Sequence, residues 1–497
     1  MTDAKRAAHE TVETAKHGAE KVAGGPARLQ VILVLAAVLA LDTADKATVS
    51  AVASSLKSAF HISNTEIGIL IACTSFAGAV LTLPIGSLVD HINRKRVLLV
   101  TIALWTAATV VSGTATSFLY LLITRLFLGA VTASASPAVA SLTGDFFPAG
   151  ARAKIYGMIL TGELVGTGVG FFVSGEVSAW FDWRWSFYVM AIPSLIILWA
   201  IWRYLEEPAR GGQSWIALGQ EEVPSQDNAQ GRQSGRQDQP EGGQSEESAQ
   251  AQEQIRRAGI QPREDLVLHE DPRRRSIWWA VGYLLHIPTY VLLIIASSLG
   301  YYFFAGIRGF AMIYLTQHYG LSRSTLSGLI VIIGLGAIAG LLLGGRLTRY
   351  MRDRGMIQSR ILVPGVALFI SVLLIAPAMW TTSAWIGITL LTFGAGALAA
   401  ANPPIDAARL DIVPAFLWGR GEAGRMALRA LLEGGAPILF GAVSSWFGGG
   451  NSGLEWTYLV MLIPVLVAAS LAIPAYRTYP RDVATARASA EALNHRS

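Results

Sequence analysis

Trp185-Ser186-Phe187-Tyr188-Val189-Met190-Ala191-Ile192-Pro193 opens one long apolar run, and Trp456-Thr457-Tyr458-Leu459-Val460-Met461-Leu462-Ile463-Pro464 opens another. The shared pattern W-[ST]-[FY]-x-V-M-x-I-P recurs at an offset of 271. A second echo, Asp145-Phe146-Phe147-Pro148 against Asp411-Ile412-Val413-Pro414, has an offset of 266, so both pairs point to a duplicated unit. Working outward from these anchors, apolar stretches fall near 29–52, 65–89, 96–115, 117–144, 152–178 and 184–205. A second set follows at 289–317, 323–348, 359–379, 384–408, 424–447 and 454–476. Each is long enough for a bilayer-crossing helix, which takes about 20 apolar residues.

The composition agrees. Of 497 residues 52% are apolar and 15% charged, where soluble domains carry about 25% charged residues, and this excludes a soluble enzyme. The expected fold is an all-α membrane protein with twelve transmembrane helices in two pseudo-symmetric six-helix bundles, an architecture used by secondary transporters. The single cysteine, Cys73, allows neither an intramolecular disulfide nor a cysteine metal site. The net charge of +5 resides in short loops, which speaks for membrane topology and against a nucleic-acid partner.

The expected organisation is a cytoplasmic tail over 1–28, a first bundle over 29–205, a linker over 206–275, an interfacial helix over 276–288, a second bundle over 289–478 and a cytoplasmic tail over 479–497. The linker has no aromatic residue after Trp215 and is dense in Gln, Glu, Ser and Gly, so it cannot build a core of its own and reads as disordered. Arg273, Arg274 and Arg275 before Trp278 and Trp279 suit a helix at headgroup level, or an extension of the seventh helix. Orientation follows from the loops. With the amino terminus inside, only Lys57, Arg184 and Arg323 fall outside, whereas Arg94, Lys95, Arg96, Arg152, Lys154, Arg346, Arg349, Arg352, Arg354 and Arg360 fall inside. Positive charge collects on the cytoplasmic side, which places both termini there. Ser63 with Glu66 and Ser452 with Glu455 have capping-box spacing at two outer helix starts.

Charges inside apolar runs cost about 2.5 to 3.5 kcal/mol on insertion scales, so each needs a reason. The first run holds Asp42, Asp45 and Lys46, with Asp42 and Lys46 spaced to pair on a helix. Arg125 lies in the fourth run, and Glu163 lies in the fifth beside a glycine stripe at 162, 166 and 170 that admits a close helix neighbour. A carboxylate under opposed influences from like and unlike charges suits a proton switch. The expected switch is Asp45 with Arg125 as its alternating partner, Asp42 and Lys46 beside it and Glu163 as a second protonation site; a permanent structural ion pair is the alternative. Arg308, in the seventh run, has a fork of donors suited to an anionic headgroup or a carboxylate, or to pairing with a carboxylate elsewhere in the bundle. Tyr301, Tyr302, Phe303 and Phe304 nearby line an acyl-chain cavity or serve packing and lipid contact. Arg425, Arg429 and Glu433 form one stripe of the eleventh run and read as a structural ladder. Asn402-Pro403-Pro404 should kink the tenth helix. No nucleophile triad, metal motif or phosphate loop occurs in suitable context, so neither enzyme activity, a metal nor a cofactor is expected.

The loop Gly86-Ser87-Leu88-Val89-Asp90-His91-Ile92-Asn93-Arg94-Lys95 resembles the signature G-x-L-x-D-x-x-G-R-K of the major facilitator superfamily, with Asn93 replacing the second glycine. Arg125 and Gly129, Asp145-x-x-Pro148-x-x-x-Arg152 and Trp183-Arg184-Trp185 extend the resemblance. Within that superfamily Asp45-Lys46, the segment 299–306 and the turn 411–414 look similar to the Spinster-type lipid transporters; Thr132 stands where those chains carry a glutamate. The resemblance implies alternating access, with a cytoplasmic gate formed by Gly86, Asp90, Arg94, Lys95, Asp145 and Arg152. Arg349 stands at the second half's counterpart of Asp90. It also implies proton-coupled movement of a single-chain, lysophospholipid-like lipid contacting Arg308, Tyr301, Tyr302, Phe304 and Thr132, by a monomer in the plasma membrane. The competing expectations are an organic-anion or drug transporter of the same superfamily and a non-transporting receptor or scaffold.

Overall fold

The computed structural model describes residues 26–89, 92–147, 149–207, 259–270, 275–414 and 417–494. Ten helical segments among them are long and apolar enough to cross a membrane, and they match the expected second to fourth, sixth and seventh to twelfth runs. The expected first and fifth runs are also long helices, α1 (Pro26–Ala51) and α7 (Ala149–Trp180), and these carry Asp42, Asp45, Lys46 and Glu163.

Two compact units emerge, one of residues 1–48 and 77–241, the other of 49–76 and 242–497. In the first, α4 (Arg94–Gly113) packs on α8 (Trp183–Tyr204) and on α5 (Phe118–Thr132), and α6 (Ala135–Phe146) bridges α4 and α7. Leu35, Val38, Leu98, Ile102, Trp105 and Leu128 form part of its buried core. The opposite faces stay apolar and open: Leu195, Ile196 and Trp199 of α8 are all more than half exposed, as a lipid-facing surface requires. Exposed Trp185 and Trp202 bracket α8, and they are about 26 Å apart along the axis at 1.5 Å per residue. That separation is close to the hydrocarbon thickness between two interfacial aromatic belts.

The second unit begins with α2 (Ala53–Phe60) and the start of α3 (Asn64–Val89). It continues with α9 (Ile277–Leu285), α10 (Pro288–Tyr319), α11 (Arg323–Asp353), α12 (Ser359–Ala378), α13 (Ala384–Ala400) and α14 (Asn402–Ile412). The last three helices are α15 (Trp418–Trp446), α16 (Asn451–Ser470) and α17 (Ala472–Asn494). Its aromatic centre is Phe440, ringed by Tyr302, Phe303, Phe310 and Tyr458. Gly306 faces the Phe440 ring so closely that a methyl there would overlap it.

The fourth and tenth runs both break, α5 from α6 at 133–134 and α13 from α14 at Ala401. Pro403 and Pro404 open α14, where their missing N–H groups do least harm, so the kink falls where the sequence places it. The capping box also forms at Ser63, whose N–H donates to Glu66 Oε2 at 2.7 Å while its hydroxyl accepts the Glu66 N–H at 3.2 Å. The second proposed box does not. Helix α16 starts earlier, at Asn451, and Glu455 Oε1 instead meets the ring of His318 at 2.8 Å and accepts from the Asn451 side chain at 2.7 Å.

Two expectations about the polar segments change. Of the linker, residues 259–270 form an ordered strap containing a 3-10 turn at Glu264–Leu266. Its Arg263 and Leu268 amides donate to the Thr485 and Ser489 hydroxyls of α17 at 2.9 and 3.0 Å, and Leu268 is buried. The Tyr283 hydroxyl of α9 closes it by donating to Leu266 O at 2.8 Å, and burial pushes that phenol up to about 12. Likewise 479–494 continues α17, with Tyr479 and Val483 fully buried. Neither segment can build a core alone, but each borrows apolar surface from the other's neighbourhood. Arg273 and Arg274 lie outside the described residues, while Trp278 on α9 is 81% exposed.

Small residues set the helix spacing. Gly162, Gly166 and Gly170 of α7 lie against the Ala36, Ala40 and Ala44 carbonyls of α1, and Gly336, Gly340 and Gly344 of α11 lie against Thr392, Gly396 and Ala400 of α13. A Cβ at any of the six would overlap the facing backbone, whereas Gly168 has open space. We expect Gly166→Val and Gly340→Val each to destabilise by more than the 1 to 3 kcal/mol (about) typical of core overpacking. Gly168→Ala should be neutral or gain up to about 1 kcal/mol from reduced chain entropy. Thermal melting in detergent followed by size-exclusion chromatography checks both.

Candidate functional site

Helix α1 delivers its charges to two different places. Asp45 is buried and pairs with the fully buried Arg125 of α5, accepting from its two terminal nitrogens, the longer contact at 3.4 Å. The Thr109 hydroxyl of α4 donates to Asp45 Oδ1, also at 3.4 Å, and the Arg125 guanidinium lies over the Phe187 ring of α8 at 5.0 Å. Four helices therefore enclose one carboxylate and one guanidinium. Arg125 Nε, buried as well, makes no hydrogen bond. Asp42, one turn earlier, instead pairs with Lys46 at 2.6 Å, and both retain over a fifth of their side-chain exposure. The helical spacing thus gives the Asp42–Lys46 pair.

Glu163 reaches α1 through its backbone. Its carbonyl accepts the Thr43 hydroxyl at 2.8 Å and the Thr167 hydroxyl at 2.9 Å, which pins α7 to α1 beside the glycine stripe. Thr132 closes α5, with its hydroxyl turned back to Gly129 O at 3.3 Å.

In the second unit Tyr301, Phe304 and Arg308 share one partly exposed face of α10. Arg308 lies over the Phe304 ring at 5.7 Å and 3.7 Å from Glu433 Oε1 of α15. Glu433 Oε2 accepts from Arg429 Nε at 3.0 Å, and the Arg429 guanidinium sits 3.6 Å from the Tyr301 ring centre. Asp406 of α14 lies 3.9 and 4.0 Å from Arg409 and Arg425. Tyr302 is turned away from this face. Its hydroxyl contacts Met461 Sδ and its ring packs on Phe440, so it belongs to the core and not to the charged face. The stripe of Arg425, Arg429 and Glu433, which the sequence reads as a ladder of its own, is completed by α10 across a helix–helix contact.

The residues expected to form a cytoplasmic gate are described in part. Asp90 and the side chains of Asp145 and Arg152 lie outside the described residues, and Gly86 lies within α3. Arg94 and Lys95 meet a residue assigned above to the linker, Glu207. Its carboxylate accepts both backbone amides at the start of α4, at 3.1 and 2.7 Å, and Arg94 Nε at 3.0 Å. An anion on free amides at the positive end of a helix is stabilised by the helix dipole. Asn93 gives the signature departure a role, because its side chain caps α4 by accepting the Arg96 N–H at 2.9 Å. Arg94 also donates to Ser141 Oγ at 3.0 Å.

The second unit carries a counterpart of this arrangement. At the same offset of 266, Arg360 donates to Ala407 O at 3.3 Å and pairs with Asp411, which also accepts the Tyr479 hydroxyl of α17. Arg360, Asp411 and Tyr479 are almost wholly buried.

The family model described as Major Facilitator Superfamily matches residues 34–424. The chain belongs to the major facilitator superfamily. Among curated relatives of this major facilitator chain, it is 25% identical over 186 residues to "Uncharacterized transporter YybO" of Bacillus subtilis (strain 168), covering 37% of this chain and 43% of that protein. It is 30% identical over 184 residues to "Protein spinster homolog 1" of Xenopus laevis, covering 36% of this chain and 35% of that one. The chain thus spans less than half the length of either relative. Among solved structures it superposes on a bacterial homolog of the human lysosomal transporter Spinster in an inward-facing, occupied conformation, with TM-score 0.69 and 18% identity over 92% of this chain and 98% of that one. It superposes on the D-xylose–proton symporter with TM-score 0.60 and 17% identity over 90% and 97%. At these identities the structures establish the fold.

Glu207 accepts three hydrogen bonds at the start of α4. We expect Glu207→Gln to destabilise the first unit by about 1 to 3 kcal/mol, read as a drop in melting temperature.

Proposed function

We propose that this Spinster-like major facilitator transporter moves a single-chain amphiphile, lysophospholipid-like in chemistry, outward across the plasma membrane in exchange for protons, with both termini in the cytoplasm and as a monomer. The observation that carries the coupling is the enclosed Asp45–Arg125 pair. A carboxylate and a guanidinium sealed among four helices have no water to solvate either charge, so the state of one sets the state of the other. Protonating Asp45 removes the charge that holds Arg125 and frees that guanidinium to take a new partner; releasing the proton restores the pair. A transporter needs such a two-state element whose balance a proton biases. Thr109 and Phe187 hold the two groups in register, and Asp42 with Lys46 keeps α1 charge-balanced one turn away. No bond to the substrate is made or broken, and this protein is not an enzyme.

The test is Asp45→Asn in proteoliposomes under an imposed pH gradient. Gradient-driven movement of a fluorescent lysophospholipid should fall at least about ten-fold, the consequence of only about 1.4 kcal/mol, while exchange of labelled for unlabelled lipid across equal pH should persist. Unchanged pH-driven flux would overturn the coupling. Flux of small carboxylates with none of lysolipid would overturn the substrate class and favour an organic-anion carrier.

A further inference from the structure

The cations of the second unit sit on a face that already contains an internal anion. Arg308 and Arg429 converge on opposite oxygens of the Glu433 carboxylate, at 3.7 and 3.0 Å. The two contacts are unequal in quality. A charge-assisted N–H···O bond settles near 2.7 to 2.9 Å (about), so the Arg308 contact falls well outside that range and leaves most of the planar fork's capacity for an incoming oxyanion. Arg429 is held differently, its guanidinium lying over the Tyr301 ring, which fixes the plane of its donors. All three side chains keep partial exposure, 18% for Arg308, 22% for Glu433 and 23% for Arg429, even though α10 and α15 are membrane-length helices. The group is therefore reachable, and its sum is one positive charge. Phe304 beneath Arg308 and Tyr301 beneath Arg429 supply an aromatic wall beside the cations.

We infer that Glu433 is a resident counter-ion that the anionic group of the substrate displaces: a phosphate oxyanion takes the Arg308 and Arg429 donors that Glu433 occupies in its absence. This deepens the amphiphile reading and rests on it for the source of the phosphate. Glu433 acts here as a specificity residue working against the ligand. It offsets one of the two positive charges and sets a threshold, since only an anion able to serve both forks replaces it. A zwitterionic or anionic phosphate meets that demand, and a cationic amphiphile does not.

The experiment is binding to the full-length protein in nanodiscs, followed by tryptophan fluorescence, with dodecyl phosphate, inorganic phosphate and dodecyltrimethylammonium as probes, the amphiphiles below their micellar concentrations. Glu433→Gln, nearly isosteric, should tighten dodecyl phosphate about ten-fold and leave dodecyltrimethylammonium unchanged. Arg308→Gln and Arg429→Gln should each weaken dodecyl phosphate about ten-fold. Glu433→Asp, which keeps the charge, should stay within about two-fold of the parent. That variant also shows whether packing alone responds to change at this position. Inorganic phosphate tightened by Glu433→Gln as strongly as dodecyl phosphate would uphold the exchange and give the anion as a free one. Dodecyl phosphate binding that is weakened or unmoved by Glu433→Gln overturns the exchange while leaving proton-driven lipid flux, and so the transport reading, standing. If the parent binds none of the three probes, the exchange falls too, and the lipid-flux assay decides the transport reading separately.

Discussion

Hydrocarbon offers a charge nothing to bind, and that single constraint organises the chain. Asp42, Asp45, Arg308 and Arg429, all on long helices, each meet an opposite charge. Asp45 with Arg125 is the limiting case, a pair with almost no exposure held by side chains from four helices. Breaking such a pair leaves a buried charge worth about 3 to 5 kcal/mol of instability. Helices that contribute to it are therefore locked in rotation about their axes. Once α1 is fixed in rotation, its small residues Ala36, Ala40 and Ala44 present their carbonyls to the α7 glycines. Charge pairing and small-residue packing are two consequences of one alignment.

Duplication explains the frame of a cluster that both halves carry. Arg94 and Arg360 stand at equivalent helix starts, and each reaches the residue that lies at the same offset on the neighbouring broken helix, Ser141 and Ala407. Each half adds contacts of its own. In the first unit a carboxylate from just past α8 meets Arg94 and the amino end of α4, and in the second a tyrosine from α17 backs Asp411. Arg360, Asp411 and Tyr479 are almost wholly buried, so salt screens that cluster little.

Much of this was legible in the residues, and the parts that were not share a cause. Apolar run length gave the spans to within a few residues, because a bilayer dictates length directly. Helical spacing gave Asp42 with Lys46, and the cost of leaving a charge in hydrocarbon pointed to Arg125 as the partner of Asp45. The place of Glu207 and the second partner of Glu433 are what the residues do not show. Glu207 belongs by composition to the polar linker, and only the fold shows that it turns back over α4. Glu433 has a satisfying partner four residues earlier on its own helix, which conceals the second partner on α10. The strap over 259–270 has too little apolar content to fold alone, and nothing in its own sequence announces the hydroxyls of α17 that receive its amides. Tyr302 was placed with Tyr301 by adjacency, although neighbouring positions on a helix point about 100° apart. Local patterns reveal contacts within one element; contacts that a second element supplies stay hidden until the fold brings it there.

Two charged groups differ in what can relieve them, and this separates what each is suited to do. On α1 and α5, Asp42 and Asp45 balance Lys46 and Arg125. On the partly exposed face of α10 and α15, Arg308 and Arg429 share Glu433, which leaves one positive charge. A carboxylate in low dielectric is relieved by taking up a proton, which needs no bulky partner and can occur inside a sealed pocket. A basic excess is not relieved that way, because guanidinium does not lose its proton at any accessible pH. It is relieved by an anion large enough to span separated forks, which demands an open face. Asp45 is sealed, and Arg308, Arg429 and Glu433 are partly exposed, as those two requirements dictate.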